Sequence, residues 1–318
     1  MDRCWRKSSE GYQRENCRKM SFSVIILTFD EEIHIERCIA SIRELADRVY
    51  VVDSGSTDAT RELAEKAGAL VFQNPWPGSQ AAQFDWALDH LGVETDWILR
   101  MDADETVTPE LIRELREELP MLPGSVSGVT LPLKRYFLGR HMKHGLSTIR
   151  LLRLFRNGKG RYSDQVMDEH LEISDGEIVS FEGEFVDDNK QPLFKWLAKH
   201  IGYAERDAMQ KLAFDYGVFA DEESEGEMSQ YSSAVIGQKK SYAKAPLFLR
   251  SFVYFFIRYV IRLGFLDGKE GFLWHFLQAW WYRTIIDVRI YEIKADFSGD
   301  PMGMRDYIRA YFDRLTQR

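Results

Sequence analysis

Between residues 22 and 101, short and nearly continuous apolar runs alternate with segments of helical periodicity. That alternation restricts the fold more than any other feature of the chain. Phe22 to Leu27, Val49 to Val52, Ala69 to Phe72 and Trp97 to Met101 read as strands. Apolar runs without polar alternation are expected where a strand is covered on both faces, as in a parallel sheet. Between the first two runs, Ile35, Cys38, Ile39, Ile42 and Leu45 share one face of a helix spanning Glu31 to Leu45. A second helix ends near Lys66, and Pro75-Trp76-Pro77-Gly78 breaks the chain before a third from Gln80 to Leu91. The pattern predicts an open, mostly parallel sheet flanked by helices, with ligands bound outside the carboxyl ends of its strands.

Polar clusters fall at those carboxyl ends: Thr28 and Glu31, then Asp53, then Asp102 and Asp104. Residues i and i+2 of an extended chain point the same way, so Asp102 and Asp104 can converge on one object. Two close carboxylates repel unless a cation lies between them, and hard divalent ions such as Mg²⁺ or Mn²⁺ take oxygen ligands. The competing reading is turn chemistry at the end of a buried strand. Just beyond, Thr108 suits a helix N-cap, Pro109 the first helical position and Glu110 the positive end of the dipole. No Gly-x-Gly-x-x-Gly follows the first strand and no Gly-Lys-Ser/Thr loop is present, so phosphates are expected to be held through a metal.

The 318 residues suffice for one large domain or two small ones. A net charge of −8 argues against a general nucleic-acid binder. Cys4, Cys17 and Cys38 show no ligand spacing or disulfide framework, which suits a reducing, cytoplasmic setting. Residues 1–20 are polar and basic, unlike a secretory signal, and read as a disordered extension or the product of an upstream start codon.

Three stretches of the first half carry a resemblance to a known family. They are Val24-Ile25-Ile26-Leu27-Thr28-Phe29-Asp30-Glu31-Glu32, Val51-Val52-Asp53-Ser54-Gly55-Ser56-Thr57-Asp58 and Asp102-Ala103-Asp104-Glu105. Residues 22–110 resemble the nucleotide-sugar-binding half of family 2 glycosyltransferases, which have the GT-A fold, a Rossmann-like α/β architecture. The likeness is nearest to the bacterial WaaE/KdtX-like glucosyltransferases of the lipopolysaccharide core, whose pattern Gln83-Phe84-Asp85-Trp86-Ala87-Leu88 also follows. It departs at Phe84, where a basic residue is usual, and at Asp30, where Asn is common. The resemblance implies that Thr28, Glu31, Asp53, Ser56, Asp85, Asp102 and Arg153 bind a UDP-sugar. It further implies that Asp53 hydrogen-bonds the uracil, that Asp104 ligates the metal and that Asp102 meets ribose, metal or metal-bound water. A carboxylate only accepts hydrogen bonds, which fits reading of the uracil N3–H.

Residues 126–190 read as strands with irregular connections, including Ser127 to Phe137 and Ile149 to Phe155. His141 and His144 lack a third ligand for a zinc site, so acceptor contact or plain solvation is the better reading. Asp168-Glu169-His170 is the expected site of acid–base chemistry, since an ionised carboxylate can take the acceptor hydroxyl proton. The resembled branch usually reads His-Glu here, which makes Glu169 the first choice as base and Asp168 the second. A solvated acidic turn is the plain alternative. Arg153 and Arg156 suit either a diphosphate clamp or a merely soluble strand face.

From Pro246 the character changes. Leu247 to Leu263 is strongly apolar, yet Arg250, Tyr254, Arg258 and Arg262 recur every four residues, and Gly264 follows as an expected C-cap. A second helix from Gly271 to Lys294 holds Trp274, Trp280, Trp281 and Tyr282. Lys239 to Lys294 has ten Lys/Arg against four Asp/Glu. Such a segment suits a helix lying on an anionic membrane surface, and it is too interrupted to span one. The alternative is a helical pair whose arginines snorkel to solvent.

The expectation is a GT-A domain over 21–240 followed by an amphipathic, membrane-interfacial helical region over 241–318. Its activity would be inverting, metal-dependent transfer of a hexose, glucose by the resemblance, from a UDP-sugar to a bacterial surface-glycan or lipid-linked saccharide. A sugar nucleotidyltransferase and a non-catalytic nucleotide-sugar or glycan-binding module are the rivals. Against them stand the missing Gly-rich basic loop after strand one and the intact Asp102, Asp104 and Glu169.

Overall fold

The computed structural model describes residues 5–8, 11–14, 20–146, 148–162, 170–218 and 245–316. Asp168 and Glu169, the acidic stretch 221–227 and the expected domain boundary at 240 lie outside them. The chain divides into two compact units, one of residues 1–135 and 148–189 and one of residues 136–147 and 190–318.

In the first unit, Trp5–Ser8 (β1) and Gly11–Arg14 (β2) pair as an antiparallel ribbon in the stretch left without elements by the sequence. The main sheet begins with Phe22–Thr28 (β3), Arg48–Asp53 (β4), Leu70–Gln73 (β5) and Trp97–Asp102 (β6). These four run parallel in the spatial order β5-β4-β3-β6. Helices Ile35–Ile42 (α1), Thr60–Lys66 (α2) and Gln80–His90 (α3) connect them. Every residue of β3 is buried, as expected for a strand covered on both faces. Ile35, Cys38, Ile39 and Ile42 pack beneath one face with Val24, Ile26 and Val51. Phe84, Ala87 and Leu91 cover the other with Ile25, Leu27 and Val52.

Beyond β6 the sheet turns mixed. Glu105–Val107 (β7) and helix Pro109–Glu117 (α4) lead to Val126–Phe137 (β8). Arg140–His141 (β9) folds back antiparallel on the end of β8, and Arg150–Arg156 (β10) returns antiparallel between β6 and β8. Gly160–Tyr162 (β11) and Leu171–Ile173 (β12) form a separate antiparallel ribbon. Glu177–Ser180 (β13) and Phe185–Asp187 (β14) then run parallel to β8, and β14 pairs antiparallel with β7. The cap expected from the sequence is in place, with Thr108 Oγ1 accepting from the Leu111 amide at 3.3 Å ahead of Pro109. This is the α/β class expected from the sequence.

The second unit is mainly helical. Leu193–Asp215 (α5) is followed, after the undescribed 219–244, by Leu249–Phe256 (α6), which continues through a wide turn of helix, Ile257–Ile261. Gly268–His275 (α7) runs on through Phe276–Trp281 into Tyr282–Asp296 (α8), and Pro301–Thr316 (α9) follows.

Two expectations for this region are corrected. Arg250 and Arg258 do not face lipid or snorkel to water: both are buried. Arg250 Nε donates to Asp287 Oδ1 at 2.9 Å, and Arg258 Nε to the Gly145 carbonyl at 3.3 Å. The positive-φ residue after the helix is Leu263, at 59°, while Gly264 has a different task. A Cβ on Gly264 would stand 2.4 Å from His275 Nε2 and 2.8 Å from the Arg258 carbonyl, so close packing requires the glycine.

Candidate functional site

The carboxyl edge of the parallel strands collects the polar residues that the sequence singled out. The loop after β4 is built by Asp53, which is fully buried. Its Oδ1 accepts from the Gly55 and Ser56 amides at 3.1 and 2.9 Å, and its Oδ2 from the Ser56 hydroxyl. Asp53 thus folds its own loop, a self-bonding turn typical of Asp. Ser56 Oγ in turn accepts from the Asp30 amide at 2.9 Å, and Asp30 Oδ1 accepts from Thr57 N at 2.8 Å. These bonds tie the loop after β3 to the loop after β4 and fix Asp30 at a φ of 51°. The Asx character of Asp30 suits that left-handed backbone.

Thr28 lies at the end of β3 with its hydroxyl buried and unpartnered among the described residues. Such a group is costly unless something else completes its bonding. Glu31 accepts at its carboxylate from His34 Nδ1 and donates its amide to Thr60 Oγ1 at 2.8 Å.

Asp102 ends β6, but the backbone does not stay extended through Asp104. It turns at Ala103-Asp104 before β7 begins at Glu105, so a turn, and not strand alternation, brings the carboxylates together. Asp102 Oδ1 accepts from Arg100 Nη2 at 3.0 Å and Oδ2 from Arg153 Nη2 at 3.3 Å. Its amide donates to Glu105 Oε2 at 2.8 Å. Asp104 Oδ2 accepts from Asn189 Nδ2 at 2.9 Å, and its carbonyl accepts from Arg37 Nη2 at 3.0 Å. Arg37 Nη1 also donates to Asp188 Oδ2 at 3.1 Å, which binds helix α1 to the turn after β14.

Negative charge accumulates here. Burial pushes the Asp104 carboxyl up to about 6, reinforced by the nearby Asp187, Asp102 and Glu31. Glu105 is raised as well, first by burial and then by Asp102, with Arg100 opposing. Burial, then Glu105, Asp104 and Asp102, push the Cys38 thiol up, so Cys38 is an inert core group. Among the described residues, no group of three His, Cys, Asp or Glu side chains converges to hold a metal by itself. Mg²⁺-type sites, however, often use only one or two carboxylates and complete their shell with phosphate and water. Asp104, in an acidic cluster whose charge is incompletely balanced, fits that mode. Asp102, with both oxygens turned to arginines, fits it less well.

Arg153 is buried, pairs with Glu105 at 2.6 Å, and has Nε and Nη1 unpartnered among the described residues. Its guanidinium lies 5.1 Å from the Phe185 ring centre. A bidentate donor with spare N–H groups beside the carboxylates suits an anion. Arg156 does not join it: Nε and Nη2 donate to the Val126 and Pro123 carbonyls, and the side chain covers Trp97 at 4.6 Å. Asp85 accepts from the Tyr162 amide at 3.2 Å, next to the undescribed 163–169. Phe84 is core, edge-on to Phe155 and Tyr162. In the second unit, His144 Nδ1 bonds Asp267 Oδ1 at 2.7 Å and His141 stacks on Tyr136. No zinc site forms from them among the described residues.

Sequence reading missed Arg37, Arg100 and the run Asp187-Asp188-Asn189. The last had a legible signal, three consecutive polar residues ending an apolar strand. Arg37 had none, because a lone arginine on a predicted helix is ordinarily solvated.

Residues 23–167 match the family model described as Glycosyl transferase family 2. The chain is 34% identical over 150 residues to the lipopolysaccharide core biosynthesis glycosyltransferase LpsC of Rhizobium meliloti, which covers 45% of this chain and 54% of that protein. An uncharacterized glycosyltransferase of Rickettsia bellii is 43% identical over 103 residues, covering 32% of this chain and 33% of its own. The chain therefore spans between about a third and about half of the length of these relatives. Among solved structures, glucosyl-3-phosphoglycerate synthase from Mycobacterium tuberculosis, in complex with Mn²⁺, UDP and glucosyl-3-phosphoglycerate, aligns at 24% identity and a TM-score of 0.28. That alignment covers 38% of this chain and 45% of that one.

Proposed function

We propose that this chain, whose residues 23–167 match the family 2 glycosyltransferase model, moves a hexose from a UDP-sugar to a hydroxyl of a bacterial surface glycan, with inversion. The observation that carries the reading is the carboxylate cluster at the strand edge, with Asp104 at its centre and Arg153 beside it. Thr28, Glu31, Asp53, Ser56 and Asp85 surround the nucleotide, Thr28 through the hydroxyl left unpartnered and Asp53 by shaping the loop against the base. Asp104, with Asp102 nearby, holds Mg²⁺ or Mn²⁺, which supplies Lewis-acid neutralisation of charge on the departing diphosphate. Arg153 shares that neutralisation through its spare N–H groups. Glu169, or Asp168 beside it, takes the acceptor hydroxyl proton as that oxygen bonds the anomeric carbon and the bond to UDP breaks.

The similarity to LpsC supports a lipopolysaccharide-core or lipid-linked saccharide as acceptor. Such an acceptor places the enzyme on the cytoplasmic face of the inner membrane. Calorimetric titration of UDP tests the donor half. Binding is expected in Mn²⁺ and is expected to vanish in EDTA and in Asp104→Ala. Glu169→Gln should bind UDP normally and lose turnover. Undiminished UDP binding in EDTA would remove the metal from the proposal, and full activity of Glu169→Gln would move the base elsewhere.

A further inference from the structure

Helix α6 and the turn of helix that continues it are inside out. Leu249, Phe252, Val253, Phe256, Ile257, Val260 and Ile261 recur at spacings of three and one, the stripe of an amphipathic helix. In an ordinary globular domain that stripe is buried. Here all seven are exposed, from 38% at Val260 to 63% at Ile261. The face turned inward carries Arg250, Ser251, Phe255 and Arg258. Asp287 meets the first of these from α8, accepting from Arg250 Nε and from the Phe248 amide at 2.9 and 2.7 Å. Ser251 bonds Phe248 O at 2.6 Å and Thr284 Oγ1 at 3.0 Å. Burying two arginines is costly and needs such specific partners, so the orientation is built into the fold and not a lapse of packing. The apolar surface continues through Leu263, Phe265, Leu266 and Phe272, all exposed.

We infer that this surface is a lipid-insertion face, the means by which the second unit sits in the headgroup layer of an anionic membrane. It deepens the membrane reading given above and rests on it. Charge favours lipid over a protein partner. From Ala245 to Leu266 the chain has no acidic residue, within a protein of net charge −8. Asp267, the next acid, is buried and accepts from the Lys143 and His144 amides. Arg262 and Lys269 are exposed at the margin, where cations meet lipid phosphates. Among the described residues no helix is long and apolar enough to cross a membrane. A stripe of 13 residues, about 20 Å long, lies instead in the plane of the interface.

The test is co-sedimentation of the whole chain with vesicles of phosphatidylcholine alone and with added phosphatidylglycerol, comparing wild type with Phe252→Ser/Phe256→Ser/Ile261→Ser. The three sites are exposed, so the variant should keep its circular dichroism and melting temperature. UDP binding is measured on both proteins in parallel. Expected are preferential binding of wild type to anionic vesicles and a fall of about tenfold or more in the variant, with unchanged UDP affinity. Loss of UDP binding in wild type would fail the donor reading alone. No vesicle binding by wild type would overturn the insertion face. So would a wild-type dimer that the triple substitution makes monomeric while vesicle binding stays absent, since the face would then join two copies. A single Asp287→Asn, which should weaken the seat of the helix, gives a second readout: its vesicle binding should drop together with its stability.

Discussion

Arg153 on β10 and Glu105 on β7 form a buried ion pair at 2.6 Å, and Asp102 is bound to both, through its carboxylate to the arginine and through its amide to the glutamate. The strand that delivers the acidic pair is thereby locked to the strand that returns beside it. Removing one partner leaves a buried charge unpaired, which costs about 3–5 kcal/mol. Arg153→Met should lose stability of that order in urea melts, while Arg153→Met/Glu105→Gln should recover a large part of it. A single substitution costing under about 1 kcal/mol would mean that water already solvates the pair.

The segment 182–184 is fastened to the first two turns of α4 without room to spare. Glu114 accepts from the Glu182 and Gly183 amides at 3.1 and 2.8 Å, and the Thr108 amide and hydroxyl donate to the Glu184 carbonyl at 3.1 and 2.9 Å. A Cβ on Gly183 would stand 2.4 Å from Leu111 Cα and 2.5 Å from its amide nitrogen. Backbone cannot yield as a side-chain tip does. Gly183→Ala should cost about 1–3 kcal/mol, read as a lower melting temperature. Gly124→Ala, where nothing lies within 4 Å, is the control expected to change little.

The parallel strands were legible because their signals are local. A strand covered on both faces must be apolar over most of its length, and β3, β4 and β6 are, with Ser23 and Arg100 the polar exceptions inside them. Thr108 and Pro109 declared their helix start in the same way. The turn at Ala103-Asp104 was not legible, because Asp-x-Asp reads alike in a strand and in a turn. Arg153 and Arg156 show a deeper limit. Three residues apart on one strand, they go to opposite faces, one into the acidic cluster and one over Trp97, and only the neighbouring strands decide which is which. Arg250 and Arg258 invert expectation for a like reason, since Asp287, 37 positions beyond Arg250, makes the inward face habitable for charge.

His275 in the second unit gives a pH dependence of known sign. It is fully buried against Gly264, and its ring is held down to about 4, first by burial and then by the charge of Arg258. The unfolded chain takes up this proton near 6.5, while the folded chain refuses it until about 4. The folded state thus binds fewer protons in that window, and stability present above 6.5 drains away as pH falls towards 4. From pH 6.5 to 5 the loss is on the order of 1–2 kcal/mol. His275→Gln should flatten that slope in melts recorded across the range. A wild-type melting temperature that stays level from pH 7 to 5 would place the ring in water.

Asp104 should trade stability against binding. Its carboxyl, raised to about 6 by burial and by Asp187, Asp102 and Glu31, favours the protonated form when folded. The contribution is fully present below the unfolded value near 3.8 and is lost as pH rises through about 6. At pH 8, then, the ionised side chain burdens the fold by an amount on the order of 3 kcal/mol. Asp104→Asn removes that charge and keeps a side chain able to bond Asn189. The variant should melt higher than wild type at pH 8 in EDTA, with the two converging near pH 4. Added Mn²⁺ with UDP should raise the wild-type melting temperature and leave the variant where it was. A variant that melts lower than wild type at pH 8 would show that Asn189 and the surrounding arginines already balance the carboxylate, and the case for a cation at this edge would lose its electrostatic ground.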